Sequence, residues 1–367
     1  MKAKICHIST VHKPFDTRIF YKECRSLVKE GYDVHFIVSH DKEEVVEGVH
    51  IISLPLDNSR KYRFFKKKKI ALQKAIEVDA DLYHFHDPEL IPVGKKLKKL
   101  GKKVIYDAHE DVPKQILSKE WLGNQFTRKI VSKTFNLYEK SSIKNLDRII
   151  AARPDIGVNF PEDKTTVVVN SPVITSIDQI APADIKAEKP IVIYAGGITK
   201  IRGIKELIEA MALLDGRAEL WMFGSWDDSK FEAECRSLEG WKHVVFKGFV
   251  PQDDVYSYMK RAYLGVVNFW PEPNHVLTLP NKPFEYMACN LPMVMSDFQY
   301  WREVFDGCFL PADPKSPESI AKQISYLLDN PDKAKELGDN GRQLVLSKYS
   351  WEAERLNLFD AYTKVLG

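Results

Sequence analysis

Two stretches of the chain space phosphate- and hydroxyl-binding groups usefully. Tyr194-Ala-Gly-Gly-Ile-Thr-Lys-Ile-Arg-Gly203 follows an apolar run and leads into Ile204-Lys-Glu-Leu-Ile, which reads as a helix start. Gly196 and Gly197 let an anion approach the backbone, the helix start offers unpaired N–H groups, and Arg202 adds a charge-assisted bond. A tight turn without a ligand fits the same glycines. The run Leu279-Pro-Asn-Lys-Pro-Phe-Glu-Tyr-Met-Ala-Cys-Asn-Leu-Pro-Met-Val-Met-Ser-Asp297 is the more specific of the two. Asn281 or Lys282 sits at a helix start, Pro283 suits the first turn, and Glu285 is expected one residue into a short helix ending near Asn290. A carboxylate there accepts two hydroxyls at once, as a ribose offers them; the same carboxylate also complements a helix dipole.

A second set of chemical groups is rich in histidine. His84, His86 and Asp87 close one expected strand, and His109 follows another, Lys103–Asp107. Residues two apart on a strand share a face, so His84, His86, Asp87 and His109 could hold zinc, and a metal-dependent hydrolase is a competing class. His84 is more simply a hydrogen-bonded core histidine. Near the N-terminus, Thr10-Val-His-Lys-Pro-Phe-Asp-Thr-Arg18 contains no glycine, which excludes the close pyrophosphate turn of a nicotinamide-binding fold there. Asp16 and Arg18 either cap the helix carrying Tyr21 to Lys29 as a solvent-facing pair or belong to a substrate-binding loop.

These groups must be positioned by a large fold. At 367 residues and 44% hydrophobic composition the chain has matter for two cores, and it shows no disordered bias. Short β-rich runs alternate with helix-compatible segments, which is the α/β pattern of parallel sheets with crossover helices. The expected strands are Lys4–Ser9, Asp33–Val38, Val49–Leu54, Asp81–His86, Lys103–Asp107, Asp147–Ala152 and Thr165–Val169, then Ile191–Ala195, Glu219–Phe223, Val244–Lys247, Leu264–Phe269, Met293–Ser296 and Gly307–Leu310. Two doubly wound domains follow, over 1–170 and 190–350, with a linker at 171–189 and ligands expected in a cleft beyond the strand C-termini. Trp351–Leu366 reads as a helix returning to the first domain. Five scattered cysteines without a C-x-x-C pair point to buried thiols.

The glycine turn and the Pro-Asn-Lys-x-Phe-Glu-Tyr-Met-Ala run resemble the donor half of GT-B glycosyltransferases, specifically the retaining family 4. Tyr106-Asp-Ala-His-Glu110, His86-Asp-Pro-Glu89 and the terminal helix fit the same family, so the resemblance spans essentially the whole chain. It implies two Rossmann-like domains with an interdomain cleft, a nucleoside-diphosphate-sugar donor, no metal, and an acceptor hydroxyl in surface polysaccharide or glycolipid assembly. Residue by residue it implies that Gly196, Gly197, Arg202, Asn281 and Lys282 face the diphosphate and sugar and that Glu285 binds the ribose. Gly224, Ser225, Phe249 and Val250 would line the sugar and base. His109 would touch the donor sugar with Glu110 assisting it or capping the next helix, and Asp16, Arg18, His86 and Asp87 would form the acceptor wall. Gly197 stands where the family has arginine, and Leu277 where it has a carboxylate eight residues before Glu285. A catalytically silent sugar-nucleotide sensor is therefore a second class beside the enzyme.

Charge divides unevenly, at about +9 for residues 1–170 and −6 for the remainder. Lys61-Tyr-Arg-Phe-Phe-Lys-Lys-Lys-Lys69 and Lys95-Lys-Leu-Lys-Lys-Leu-Gly-Lys-Lys103 carry much of the excess. Leu90, Val93, Leu97 and Leu100 are spaced to bury one face of the second segment, leaving its lysines in solvent. Attraction to an anionic bilayer is the alternative; nucleic acid is not expected, since no recognised motif accompanies the lysines. With no apolar span or signal segment, the expected location is cytoplasmic, extending to the inner membrane face.

Overall fold

Parallel strands covered on both faces must be apolar throughout, and runs such as Ile191-Val-Ile-Tyr-Ala195 are fully buried. The computed structural model describes residues 2–57, 59–119 and 122–367, and they form two units: Met1–Asn170 with Trp351–Gly367, and Ser171–Ser350.

The first unit contains β1 (Lys4–Ile8), β2 (Asp33–Ser39), β3 (Glu44–Val46), β4 (Val49–Leu54), β5 (Leu82–Phe85), β6 (Lys103–Ala108), β7 (Arg148–Ala151) and β8 (Thr165–Val167). Their order is β3-β4-β2-β1-β5-β6-β7-β8, parallel except for the β3–β4 edge pair. β3 was not expected; three residues with exposed Val45 carry too little apolar signal to mark a strand. The second unit contains β9 (Ile191–Ala195), β10 (Glu219–Phe223), β11 (Val244–Gly248), β12 (Leu264–Val267), β13 (Met293–Ser296) and β14 (Phe309–Ala312), in the order β11-β10-β9-β12-β13-β14 and all parallel. Strand order reverses beside β1 in one sheet and beside β9 in the other, so in each unit the loops leaving the strand C-termini there part and expose a place for ligands.

Several expectations are corrected. Residues 171–189 are not a free linker: the Ile174–Gln179 helix lies there, and Ile174 and Ile177 are buried in the second unit's core. The segment expected as one helix from Tyr21 is a wider π-type turn, Ile19–Cys24, continued by an α-helix, Arg25–Lys29. Leu100 is exposed, because the Ile91–Lys99 helix ends before it. Glu285 lies in the second turn of Asn281–Ala288, since that helix starts at Asn281 itself. Trp351–Leu366 packs in the first unit, where Trp351 Nε1 donates to Ser26 Oγ at 2.8 Å. Among the described residues no helix is long and apolar enough to cross a membrane.

Candidate active site

In the second unit three strand ends are laced together. Gly196 N donates to Phe223 O at 2.9 Å, Ile198 N to Ser225 O at 3.0 Å, and Gly224 N to Gly248 O at 2.8 Å. A Cβ on Gly224 would lie 1.8 Å from Gly196 O, so only glycine lets these two loops touch. The glycine turn lies between two cations: a Cβ built on Gly196 would be 3.0 Å from Arg202 Nη1 and 3.9 Å from Lys282 Cε. Arg202 Nη1 donates to Gly197 O at 3.2 Å, its guanidinium centre is 5.3 Å from the Phe269 ring, and Tyr194 O–H donates to the same carbonyl at 2.7 Å. Gly203, at φ +58°, then opens the Ile204–Leu213 helix.

Glu285 is placed by its neighbours. Phe284, Tyr286 and Met287 are buried in the core, and Tyr286 O–H donates to Ile193 O at 3.2 Å, pinning the Asn281–Ala288 helix to β9. Glu285 itself is nearly buried; one oxygen accepts from Gln252 Nε2 at 3.2 Å and the other pairs with Lys282 Nζ. Lys282 is thus held beside the turn by the carboxylate that was expected to meet the ribose. Asn281 begins the helix, Val250 packs against the core, and Phe249 and Leu277 are exposed.

In the first unit the expected residues gather at the ends of β1, β5 and β6, but their roles shift. His109 Nε2 lies 3.0 Å and His86 Nδ1 3.2 Å from Asp107 Oδ2. Arg18 is corrected: it is not solvent-facing but buried, clasping both oxygens of Asp107 at 3.2 Å, donating to Val168 O at 2.8 Å and meeting Glu23 at 3.0 Å. Its guanidinium is therefore a brace rather than an acceptor contact. Asp16 caps the adjoining turn, accepting from Arg18 N and Ile19 N at 2.8 and 2.9 Å. Asp87 accepts from Ser9 Oγ at 3.0 Å and Thr10 N at 2.6 Å, and Glu110 turns to Gln115 rather than to His109.

The protonation pattern follows from Asp107. Burial alone would raise its carboxyl, but Arg18 and then His109 hold it well below the usual carboxylate range. An ionised Asp107 only accepts, so His86 donates from Nδ1 and accepts at Nε2. His7, 2.9 Å away, then donates from Nδ1 and accepts Tyr362 O–H at 3.1 Å. Tyr362 oxygen in turn accepts from His84 Nδ1 at 2.7 Å. The chain ends at His84 Nε2, which is buried without a hydrogen-bond partner among the described residues. Burial pulls His86 down to about 4 and keeps His7 and His84 neutral, while Glu23 is pushed up by burial despite Arg18. His109 donates to Asp107 from Nε2.

The zinc set expected from His84, His86, Asp87 and His109 does not assemble, since Asp87 faces Ser9 and Thr10 while His84 is bonded to Tyr362. The donors that do converge are His7, Glu23, His84 and His86, and separately His86, Asp107 and His109. In the first group the rings of His7 and His86 lie within 14° of parallel and share a hydrogen bond that uses the His7 Nδ1 proton and the His86 Nε2 lone pair. In the second, Arg18 already places a positive charge 3.2 Å from the shared Asp107 oxygen. Both arrangements suit protons better than a second cation.

Sequence reasoning missed Asp107, His7, Glu23, Tyr362 and His12. His12 lies 3.1 Å from Asp16 and its ring 5.0 Å from that of His109; burial would lower it, but the Asp16 bond and Asp87 leave it raised. The i, i+4 spacing to Asp16 was the available signal. For Asp107 it was the two-residue spacing to His109 at a strand end.

Comparison with known proteins agrees with this architecture. The model of glycosyl transferases group 1 matches residues 176–344, and that of glycosyltransferase family 4 matches residues 17–160. An uncharacterised glycosyltransferase of Methanocaldococcus jannaschii is 25% identical over 93% of both chains. The lipopolysaccharide core biosynthesis glycosyltransferase LpsE of Rhizobium meliloti is 26% identical over 53% of this chain and 54% of its own. Among solved structures, the sucrose-phosphate synthase of Thermosynechococcus elongatus superposes with TM-score 0.72 at 22% identity over 99% of both chains. The Anabaena protein HepE in complex with UDP-glucose does so with TM-score 0.72 at 16% identity, covering 98% of this chain and 99% of that one.

Proposed function

The chain belongs to the GT-B glycosyltransferases of family 4, which take a sugar from a nucleotide-sugar, and from that premise we propose that the second unit grips the donor's diphosphate while the first unit orients the acceptor hydroxyl. The observation that carries this assignment is the glycine turn flanked by Arg202 and Lys282, with Glu285 in reach of the same lysine. A leaving diphosphate gains negative charge as the glycosidic bond breaks. Donors aimed at that charge act as an oxyanion hole does: the Gly196 and Gly197 loop, Arg202, and Lys282 once it leaves Glu285. Glu285, released from Lys282, has its oxygen available for the pentose hydroxyls. Gly224, Ser225, Phe249 and Val250 are assigned to the sugar and base, with Asn281 at the phosphate end. Retention of anomeric configuration would follow from attack of the acceptor hydroxyl on the face that the diphosphate leaves, a course that requires no side-chain nucleophile.

In the first unit His109 is assigned to the transferred sugar, through an imidazole that Asp107 orients. Asp16 and Asp87 remain assigned to the acceptor side, with Arg18 as their brace; His86, expected there too, is instead buried with both ring nitrogens bonded to Asp107 and His7 and so supports the site from within. Surface polysaccharide or glycolipid is the proposed acceptor class, in keeping with the lipopolysaccharide role named for the Rhizobium relative.

Thermal unfolding with UDP, GDP or ADP tests the donor assignment. One base should raise the midpoint with concentration, by about 2.7 kcal/mol of stability at a hundredfold excess over Kd. Glu285→Ala should weaken that nucleotide about tenfold by calorimetry, and unchanged affinity would remove the ribose role.

A further inference from the structure

The outward face of the Gln125–Ile143 helix combines apolar and basic side chains without a carboxylate. Phe126, Ile130 and Leu137 are 72%, 51% and 62% exposed. At about 100° per residue they fall within a sector of roughly 40°, spread along about 16 Å of helix. Lys133, Lys140 and Lys129 line one edge of that sector, and Thr134, Ser141 and Thr127 the other. The helix has a single acidic residue, Glu139, and it points inward, buried and accepting Tyr106 O–H at 3.0 Å. None of the three lysines is held by a carboxylate among the described residues.

The segments whose lysines drew attention in the sequence behave differently. Lys67 is buried and donates to Ser39 at 2.8 Å, Lys98 pairs with Asp147 at 2.6 Å, and Lys102 pairs with Asp79 at 2.6 Å. Part of their charge is spent within the unit, Arg63 also pairing with Glu89 at 3.3 Å. On Gln125–Ile143 it is unspent, and three large apolar side chains stand exposed beside it.

We propose that this face docks on an anionic lipid bilayer, with Phe126, Ile130 and Leu137 entering the headgroup–acyl boundary and Lys129, Lys133 and Lys140 meeting lipid phosphates. A stripe that is both apolar and positive suits a surface that is apolar below and negative above. A soluble polyanion would use the lysines but leave the three apolar side chains in water. Another copy of this chain would bring lysine against lysine across a twofold axis. The helix belongs to the first unit and lies outside the donor-binding loops, so its test is independent of the donor assignment.

The full chain is sedimented with vesicles of phosphatidylcholine alone and of phosphatidylcholine with one-third phosphatidylglycerol, at low and high salt. Binding should need the anionic lipid and fall severalfold with salt. Lys129→Gln/Lys133→Gln/Lys140→Gln should lower partitioning more than tenfold, and Phe126→Asp/Leu137→Asp should lower it at least as far. Both variants should keep the wild-type unfolding midpoint and wild-type nucleotide affinity, since the altered positions face solvent. Absence of vesicle binding at low salt would overturn the proposal. So would wild-type binding by either variant, or a concentration-dependent dimer in centrifugation that Phe126→Asp/Leu137→Asp dissolves while vesicle binding persists.

Discussion

The two units treat their charged groups in opposite ways. At the end of β9 the second unit sets Arg202 and Lys282 around a glycine turn, partly exposed and held by few partners: the Gly197 carbonyl and the Phe269 ring for the arginine, the Glu285 carboxylate for the lysine. At the ends of β1, β5 and β6 the first unit pairs Arg18, Asp107, His86, His7 and Tyr362 with one another below the surface. Under the proposed assignment, phosphate oxygens would replace partners that both cations can exchange, since neither is buried as Arg18 is. A site that must hold one imidazole in place buries its partners instead.

The largest effect that would break this contrast is on stability. Asp107→Asn removes one side of a buried ion pair and should destabilise the first unit by about 3–5 kcal/mol in denaturant unfolding. An unchanged midpoint would mean that the network is incidental. Arg202→Ala should do the opposite, losing about 10²–10³-fold in turnover, with the unfolding midpoint nearly kept. Loss of fold instead would show that this arginine serves structure as Arg18 does.

The third effect is pH-dependent. His86 is held at about 4 in the fold, below its value of 6.5 in an unfolded chain. Between those values the unfolded chain binds more protons, so the stability that neutral His86 contributes is present above pH 6.5 and lost as pH falls toward 4. That amounts to about 3 kcal/mol for this residue, and His7 and His84 act in the same direction. Glu23, raised by burial, works the other way: its neutral form favours the fold less as pH rises above the ordinary carboxyl range. Hydrogen exchange resolved by segment at pH 7 and 4.5 should show protection falling in β1, β5 and β6 and persisting in β9 and β10. Equal loss in both sheets would erase the distinction.

How legible each region was in the sequence follows from the same contrast. The donor loops are local: strand, glycine turn and helix occur within Tyr194 to Leu213, and Pro280, Asn281 and Glu285 are neighbours in the chain. Their arrangement follows from short-range rules about glycine, helix starts and apolar strands. The buried network joins His7, Arg18, His86, Asp107 and Tyr362, up to 355 residues apart, and no spacing in the chain announces it. Arg18 illustrates the failure. An arginine beside a helix cap ordinarily faces water, and only the carboxylate of Asp107, delivered by another strand, makes its burial tolerable.

The amino-acid order by itself determined thirteen strands, all but β3, their division into two largely parallel sheets and the glycine turn, because apolar periodicity and backbone freedom act over a few residues. Tertiary structure alone decided which charges neutralise one another, which tautomer the buried histidines adopt, and that Lys129, Lys133 and Lys140 stand beside exposed apolar side chains on Gln125–Ile143. Those outcomes depend on burial and on distances of about 3 Å between groups that only the folded sheets bring together.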